Sequence, residues 1–442
     1  MGRNVAAYDL DSTLIKVNGK HKWPKNADDW VWWNASVPAR LKEEHEKGHI
    51  LVVITNQAGL TDQYGNIRAE KQKEMKLKFE KICAQLQLPM WILISMAKDH
   101  YRKPMTGLWH WLERKFEANG VEIDRATAFY VGDAAGRHAG WMSGVKEDFN
   151  NTDRKFAASL HIAFDTPEHY FLKQACPDHL WSFGEFDPKN VPSEGPLFTP
   201  TSTPLIPTDN TCELILFVGP PASGKSSFAA KHILHLDRYE YVNQDTLKTR
   251  DRCLKAVEES LKESKSVVVD NTNADEATRA LYIAIAKKYN LPVRCFLFTA
   301  SRELVVHNNH FRAFHRPLIS AMQGESGEAQ PTMKVKTSVT TSTGKSSTSI
   351  ATEQSANSPI GNSESPTGGL DSVSTTTTST STTTSVIKVR DEPVRERLSE
   401  MVFATYYRKY QEPKLEEGFT EIKKINFLVD EDIRDAWTRW YV

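Results

Sequence analysis

The stretch CELILFVGPPASGKSSF, residues Cys212 to Phe228, decides how this chain is read. An apolar run, Leu214–Val218, stops at Gly219 and gives way to G-x-x-x-x-G-K-S, with Gly219, Gly224, Lys225 and Ser226 in the fixed places. A strand, a glycine loop and a helix in that order make a phosphate-binding loop. The glycines let successive backbone N–H groups face one anion, and the helix adds its positive N-terminal end. Pro220, Pro221, Ala222 and Ser223 fill the span between the glycines, so Gly219–Ser226 is the expected ATP cradle. Lys225 supplies a point charge for the outer phosphates, and Ser226 supplies a hydroxyl for Mg²⁺. The loop also divides the chain, leaving room for one domain before it and one after.

The bulk numbers agree with that division. A chain of 442 residues should hold two or three domains. Lys plus Arg equals Asp plus Glu at 56 each, so a nucleic-acid partner needs a local basic groove rather than an overall positive field. The five cysteines are scattered without a C-x-x-C pair, so neither a disulfide framework nor a cysteine zinc site is suggested, which favours a reducing compartment. No secretory leader and no membrane-spanning apolar run is evident, so a soluble intracellular protein, monomeric by default, is expected.

Ahead of the loop, residues 1–186 read as an α/β domain. Val5–Tyr8 is an apolar strand ending in Asp9-Leu10-Asp11-Ser12-Thr13. Side chains alternate along a strand, so Asp9 and Asp11 point the same way at its C-terminal end, where open parallel sheets bind ligands. Two facing carboxylates are costly without a cation between them, and hard oxygen donors favour Mg²⁺. Ile50–Ile54 is a second strand ending in Thr55-Asn56-Gln57. Arg102-Lys103-Pro104 follows, and Phe129–Val131 leads to Gly132-Asp133-Ala134-Ala135-Gly136-Arg137. Trp23, Trp30, Trp32 and Trp33 crowd the early part and suit a core with a flap better than a base-stacking platform.

Residues 187–210 carry six prolines and read as a semi-extended connection that leaves the two sites free in relative orientation. In residues 211–442, Glu240–Val242 leads to Asn243-Gln244-Asp245. A carboxylate there can accept the proton of an attacking hydroxyl or simply cap the next helix. Ser266–Val269 ends in Asp270, the second Mg²⁺ partner of a phosphate loop. Arg302, Arg312 and Arg316 are candidates for a lid over the transferred phosphate. From about 324 to 389 the sequence turns to Ser, Thr and Gly, too little apolar surface to offset chain ordering, and a disordered insert is expected. Ser358-Pro359 and Ser365-Pro366 lie within it.

The strand ends D-x-D-x-T, T-N, K-P and G-D resemble the haloacid-dehalogenase phosphohydrolases. With G-P-P-A-S-G-K-S, V-N-x-D-T-L, D-N-T-N and H-N-N-x-F-R added, nearly the whole chain resembles the eukaryotic polynucleotide kinase 3′-phosphatases. That resemblance implies two α/β domains, a haloacid-dehalogenase-like (Rossmannoid) phosphatase followed by a P-loop kinase. It implies an enzyme that removes 3′-phosphates and phosphorylates 5′-hydroxyls at DNA breaks, using Mg²⁺ and ATP, in the nucleus, beside repair scaffold proteins. Asp9 would be the nucleophile and Asp11 the acid–base. Thr55 and Lys103 would hold the phosphoryl oxygens. Asp133, with Asp9 and the Asp11 carbonyl, would hold the metal. Members often carry a second acid soon after G-D, a place Asp148 or Asp153 would fill. Asp245 would be the kinase base. Arg102, Lys248, Arg252 and Arg279 would contact nucleic acid or phosphate.

Three departures qualify the match. The phosphatase motif begins at residue 9, so the forkhead-associated module of vertebrate forms is not expected ahead of it. Gln244 stands where relatives commonly have Arg. The insert interrupts the kinase. The alternatives are a phosphatase–kinase fusion acting on RNA ends or small phosphorylated metabolites, and a repair scaffold with a decayed kinase.

Overall fold

The computed structural model describes residues 3–21, 23–62, 64–174, 180–209, 211–323 and 396–442, with side chains to residue 315 in the last helix before 324. The expected insert at 324–389, with its Ser-Pro pairs, lies outside the described residues, as does the Arg316 side chain.

In the first half the strands are β1 (Val5–Tyr8), β2 (Ile15–Lys16), β3 (Val31–Trp32), β4 (Ile50–Asn56), β5 (Met90–Ser95), β6 (Phe129–Val131) and β7 (Ala163–Asp165). The helices are α1 (Val37–Glu46), α2 (Ala69–Leu86), α3 (Gly107–Glu117), α4 (Thr152–Leu160) and α5 (Pro167–Leu172). β1 is buried along its whole length: Val5, Ala6 and Ala7 are apolar, and its one polar side-chain group, Tyr8 Oη, is hydrogen-bonded to Tyr170 Oη at 3.1 Å. The parallel sheet runs β5-β4-β1-β6-β7, with a separate β2–β3 ribbon. Chain order reverses at β1, which leaves a crevice at its carboxyl end. One face of the sheet packs on a cluster around Tyr8, Leu41, Phe79 and Ile92, the other on a cluster around Leu108, Trp109 and Phe156.

The second half contains β8 (Phe198–Thr199), β9 (Leu214–Val218), β10 (Tyr239–Val242), β11 (Ser266–Val269), β12 (Val293–Phe298) and β13 (Glu421–Ile425). Its helices are α6 (Lys225–His232), α7 (Gln244–Leu247), α8 (Arg250–Lys262), α9 (Glu276–Lys288), α10 (Arg302–Gln323), α11 (Glu400–Lys409) and α12 (Arg434–Trp437). The order is β10-β11-β9-β12-β13-β8, parallel except for β8. Helix starts follow their caps: Thr249 accepts from Arg252 N at 3.3 Å, and Asp275 accepts from Thr278 N at 2.8 Å.

Two expectations are corrected here. Residues 187–210 are not a free tether. Leu197, Phe198, Leu205 and Ile206, set between the prolines, pack on the core of the second sheet. Phe198 and Thr199 pair with β13, and Lys423 Nζ donates to the carbonyls of Pro200 at 3.2 Å and Thr203 at 2.9 Å. The two halves also touch directly. Tyr441 is buried with Met105, Phe311 and Phe314, and Trp440 N donates to Ser159 Oγ at 3.0 Å. Their relative orientation is therefore set by packing of the C-terminal segment on α3 and α4.

Candidate active sites

Strand order brings the first site together. β4 and β6 flank β1, so Thr55, Asp9 and Asp133 leave three adjacent strand ends. Lys103 arrives from the loop after β5, fixed by a reciprocal pair: its N–H donates to Asn56 Oδ1 at 3.0 Å, and Asn56 Nδ2 donates to its carbonyl at 3.1 Å. Lys103 Nζ donates to Asp9 Oδ1 at 2.7 Å and to Tyr130 Oη at 2.7 Å, and it pairs with Asp153 Oδ1 at 2.8 Å. Burial works against its charge, but Asp153 and Asp9 outweigh that and raise its pKa.

Asp9, Asp133 and Asp153 each present an oxygen within 4.8 Å of the others. Three carboxylates share one ammonium. Asp133 is held well above the usual carboxylate range, first by burial and then by the charges of Asp153 and Asp9. Asp153 is pushed up to about 6 by burial, with Lys103 opposing and Asp9 reinforcing. A set of hard oxygens in mutual repulsion, without histidine or cysteine, fits Mg²⁺. Asp153, not Asp148, joins the cluster. A Cβ on Gly132 would lie 2.4 Å from Asp153 Oδ2, so the glycine makes room for this acid. Asp148 instead accepts from Arg137 Nε at 2.8 Å, and Arg137 also pairs with Glu168 at 2.6 Å and lies 3.7 Å over the Trp141 ring. Arg137 is thus a structural clamp.

Asp11 stands apart from the trio. Its Oδ2 accepts from Gln57 Nε2 at 2.7 Å, and the same nitrogen donates to Thr55 Oγ1 at 3.0 Å. Desolvation, then the Asp9 charge, raises the Asp11 pKa, which favours a carboxyl that carries a proton. Buried Lys78 on α2 opposes that shift. Sequence reasoning missed Lys78, because a lysine inside a charged helix looks like a solvated face; it missed Tyr130, because an aromatic in a strand looks like core. Trp30 is buried and edge-on to Trp32 at 5.3 Å, and Trp33 packs on the core. Trp23 is exposed.

The second site forms where β9 and β11 pair. Gly224 caps α6 with φ +93°, a left-handed turn that favours glycine. Lys225 Nζ rests on the loop's own carbonyls, Gly219 at 3.0 Å and Pro220 at 2.7 Å, and burial lowers its pKa to about 8. Ser226 Oγ donates to Asp270 Oδ2 at 2.5 Å, and Tyr241 Oη donates to the same oxygen at 2.6 Å. This hydroxyl–carboxylate pair fits Mg²⁺ at a nucleoside triphosphate. Asp245 does not cap the next helix. Asn243 does so, accepting from Asp245 N at 2.8 Å, which leaves the Asp245 residue exposed at the strand end.

The basic candidates separate. Lys248 is exposed and donates to Asp245 O at 2.7 Å. Arg252 is exposed on α8. Arg102 is half-buried, and its Nη1 is buried without a hydrogen bond among the described residues. Arg312 is close enough that its charge lowers the Lys225 pKa, whereas Arg302 sits over the Tyr407 ring at 5.8 Å. Asn308 Nδ2 donates to Ala222 O at 3.1 Å, and Trp437 Nε1 donates to Asn308 Oδ1 at 2.9 Å. The C-terminal segment therefore braces the phosphate loop, a contact that no local sequence pattern announces.

Arg279 is a correction. It is fully buried and forks onto Glu417 at 2.7 Å twice, with further bonds to the carbonyls of Asn273, Ala274 and Gln411. With no exposed surface, it is not placed to contact nucleic acid. Arg279→Met, which strands the Glu417 charge, should cost about 3–5 kcal/mol in urea unfolding. Weakened strand binding at unchanged stability would restore the ligand role.

Comparison with known proteins yields two family models. One, described as polynucleotide kinase 3 phosphatase, matches residues 4–171, and one described as AAA domain matches residues 214–330. A bifunctional polynucleotide phosphatase/kinase of Schizosaccharomyces pombe is 30% identical over 435 residues, spanning 98% of this chain and 82% of the relative. A protein of Acanthamoeba polyphaga mimivirus designated with the same two activities is 32% identical over 325 residues, or 70% and 75% of the two chains. The polynucleotide 3′-phosphatase ZDP of Arabidopsis thaliana is 32% identical over 178 residues, 38% of this chain and 24% of that one.

Proposed function

The chain belongs to the bifunctional polynucleotide phosphatase/kinase family, and from that premise we propose that it heals DNA breaks, removing 3′-phosphates and phosphorylating 5′-hydroxyls. The observation that carries this is one chain holding both a carboxylate–lysine cluster and a complete phosphate loop.

In the phosphatase, Asp9 attacks the phosphorus, the bond to the 3′ oxygen breaks, and Asp11 gives its proton to that oxygen. Asp11 then takes a proton from water, which attacks the aspartyl-phosphate and frees inorganic phosphate. The raised Asp11 pKa suits the first step, because the acid must start protonated. Thr55 and Lys103 hold the phosphoryl oxygens. Asp9, Asp133 and Asp153 would hold Mg²⁺, which when bound screens one anion attacking another. In the kinase, Asp245 takes the proton of the 5′-hydroxyl as it attacks the γ-phosphorus of ATP, and ADP leaves. Lys225 and Arg312 hold the transferred charge, and Ser226 and Asp270 would hold that site's Mg²⁺. Lys248 and Arg252, both exposed, are the strand contacts of this reading, and half-buried Arg102, next to Lys103 in sequence, adds positive charge near the 3′ end. The same reading assigns the enzyme to DNA repair and to the nucleus.

The test is a nicked duplex with a 3′-phosphate and a 5′-hydroxyl at the break, incubated with Mg²⁺ and ATP and followed by gel. Both ends should change. If neither changes while a small phosphorylated metabolite is hydrolysed, the substrate assignment is wrong.

A further inference from the structure

Helix α2 carries a lysine that the phosphatase chemistry leaves unused. Lys78 is only 4% exposed. Its neighbours on α2, Phe79, Ile82 and Cys83, pack in the cluster that holds Leu14, Ile15 and Trp30. A lysine in such a place buries its four-carbon stem and keeps its head at the surface. Among the described residues the Lys78 ammonium makes no hydrogen bond and no ion pair, yet its nitrogen is not sealed from water.

The acids around it are engaged elsewhere or lie in solvent. Asp11 Oδ2 accepts from Gln57 Nε2 at 2.7 Å, and Asp29 Oδ2 accepts from Lys25 N at 2.8 Å. Asp28 pairs with Lys81, one turn further along α2, and Glu74, one turn back, is exposed. Lys78 therefore feels these charges without being tied to one. Burial lowers its pKa, and Asp11, then Asp29 and Glu74, oppose that.

Position gives this cation a task. Asp11 protonates the 3′ oxygen as it leaves, so the sugar that carries the oxygen lies beside Asp11. Through its 5′ carbon the same sugar carries the last internucleotide phosphate. Two lysines act on the charge of Asp11, Lys78 more strongly than Lys103. Lys103 is already bonded to Asp9, Asp153 and Tyr130. Lys78 has all three of its donors open, on the side of Asp11 that faces the β2–β3 ribbon and its loop.

We propose that Lys78 binds the last internucleotide phosphate of the strand, so that the phosphatase favours a polynucleotide end over a small 3′-phosphorylated nucleoside. This rests on the polynucleotide reading above. A point charge on a flexible stem suits the role, because it pairs with a phosphodiester without fixing base or sugar.

The probe is a 3′-phosphorylated oligonucleotide, either native or with its last internucleotide linkage replaced by an uncharged methylphosphonate. Phosphate release is measured with the full chain and Mg²⁺ for the parent, Lys78→Met and Lys78→Arg. Methionine keeps the apolar stem and removes the charge, and arginine keeps the charge. Comparing the two substrates within each variant cancels any effect of the substitution on Asp11 or on folding.

In the parent the neutral linkage should lower kcat/KM about tenfold, the size of one charge-assisted hydrogen bond, and in Lys78→Met by no more than about twofold. Lys78→Arg should keep most of the parent's gap. A tenfold gap that survives in Lys78→Met overturns the proposal, because another group then holds the phosphate. Absence of a gap in the parent also overturns it, and that measurement stands even should the methionine variant unfold. If the parent hydrolyses p-nitrophenyl phosphate but neither oligonucleotide, the polynucleotide reading fails and takes the proposal with it.

Discussion

Asp9→Asn is expected to slow 3′-phosphate removal by at least about 10³-fold, a barrier increase of about 4 kcal/mol, while 5′ phosphorylation continues at its normal rate. The amide cannot form the acyl-phosphate, so the two-step path is closed rather than weakened. The change is nearly isosteric, and its structural cost is small. Lys103 keeps Asp153 at 2.8 Å and Tyr130 Oη at 2.7 Å, so no buried cation is stranded. Removing one of three crowded carboxylates also relieves the repulsion that raises Asp133 and Asp153. The metal-free variant should therefore melt at the same temperature as the parent or higher. Single-turnover assays on a 3′-phosphorylated oligonucleotide, with a melting curve beside them, check both halves. Phosphatase activity above about a tenth of normal would remove Asp9 from the nucleophile's place.

How much of this was legible beforehand depends on the range of the contact. Asp9, Thr55 and Asp133 close apolar strands, and a parallel sheet delivers strand ends to one crevice, so residue type and position sufficed. The phosphate loop is a contiguous pattern and was legible for the same reason. Asp148 and Asp153 could not be separated from sequence, since both follow G-D at plausible distances. Arg137 separates them by binding the first across eleven positions, and Gly132 by leaving space for the second. Arg279 misled because an arginine's charge is visible in sequence and its burial against Glu417, 138 positions away, is not. The connection at 187–210 misled in the same manner. Its prolines signalled extension, but Leu197, Phe198, Leu205 and Ile206 between them pack on the second sheet's core, and Phe198 and Thr199 pair with a strand more than 200 residues on.

Lys225→Ala is the complementary case, and its expected effect is of the same order: a loss of at least about 10³-fold in 5′-kinase turnover, with phosphatase turnover unchanged. Two features make the loss large. The ammonium is buried, so its interaction with phosphate oxygens is little screened by water. It is also already in place, held on the carbonyls of Gly219 and Pro220, and needs only to exchange those partners for phosphate oxygens. With a pKa of about 8 it remains largely protonated at neutral pH despite its burial. Alanine removes the charge and leaves two carbonyls without their donor, a local cost of about 1–3 kcal/mol each where water cannot enter. That cost falls on the loop and not on the sheet beneath it. The first domain's carboxylate cluster lies on a separate sheet and shares no hydrogen bond with Lys225, so its chemistry gives the internal control. Radiolabel transfer from ATP to a 5′-hydroxyl oligonucleotide, run beside release of inorganic phosphate from a 3′-phosphorylated one, separates the outcomes. Loss of both activities would mean that the phosphate loop supports the neighbouring domain through Asn308 and Trp437. Loss of neither would mean that the second site does not use ATP.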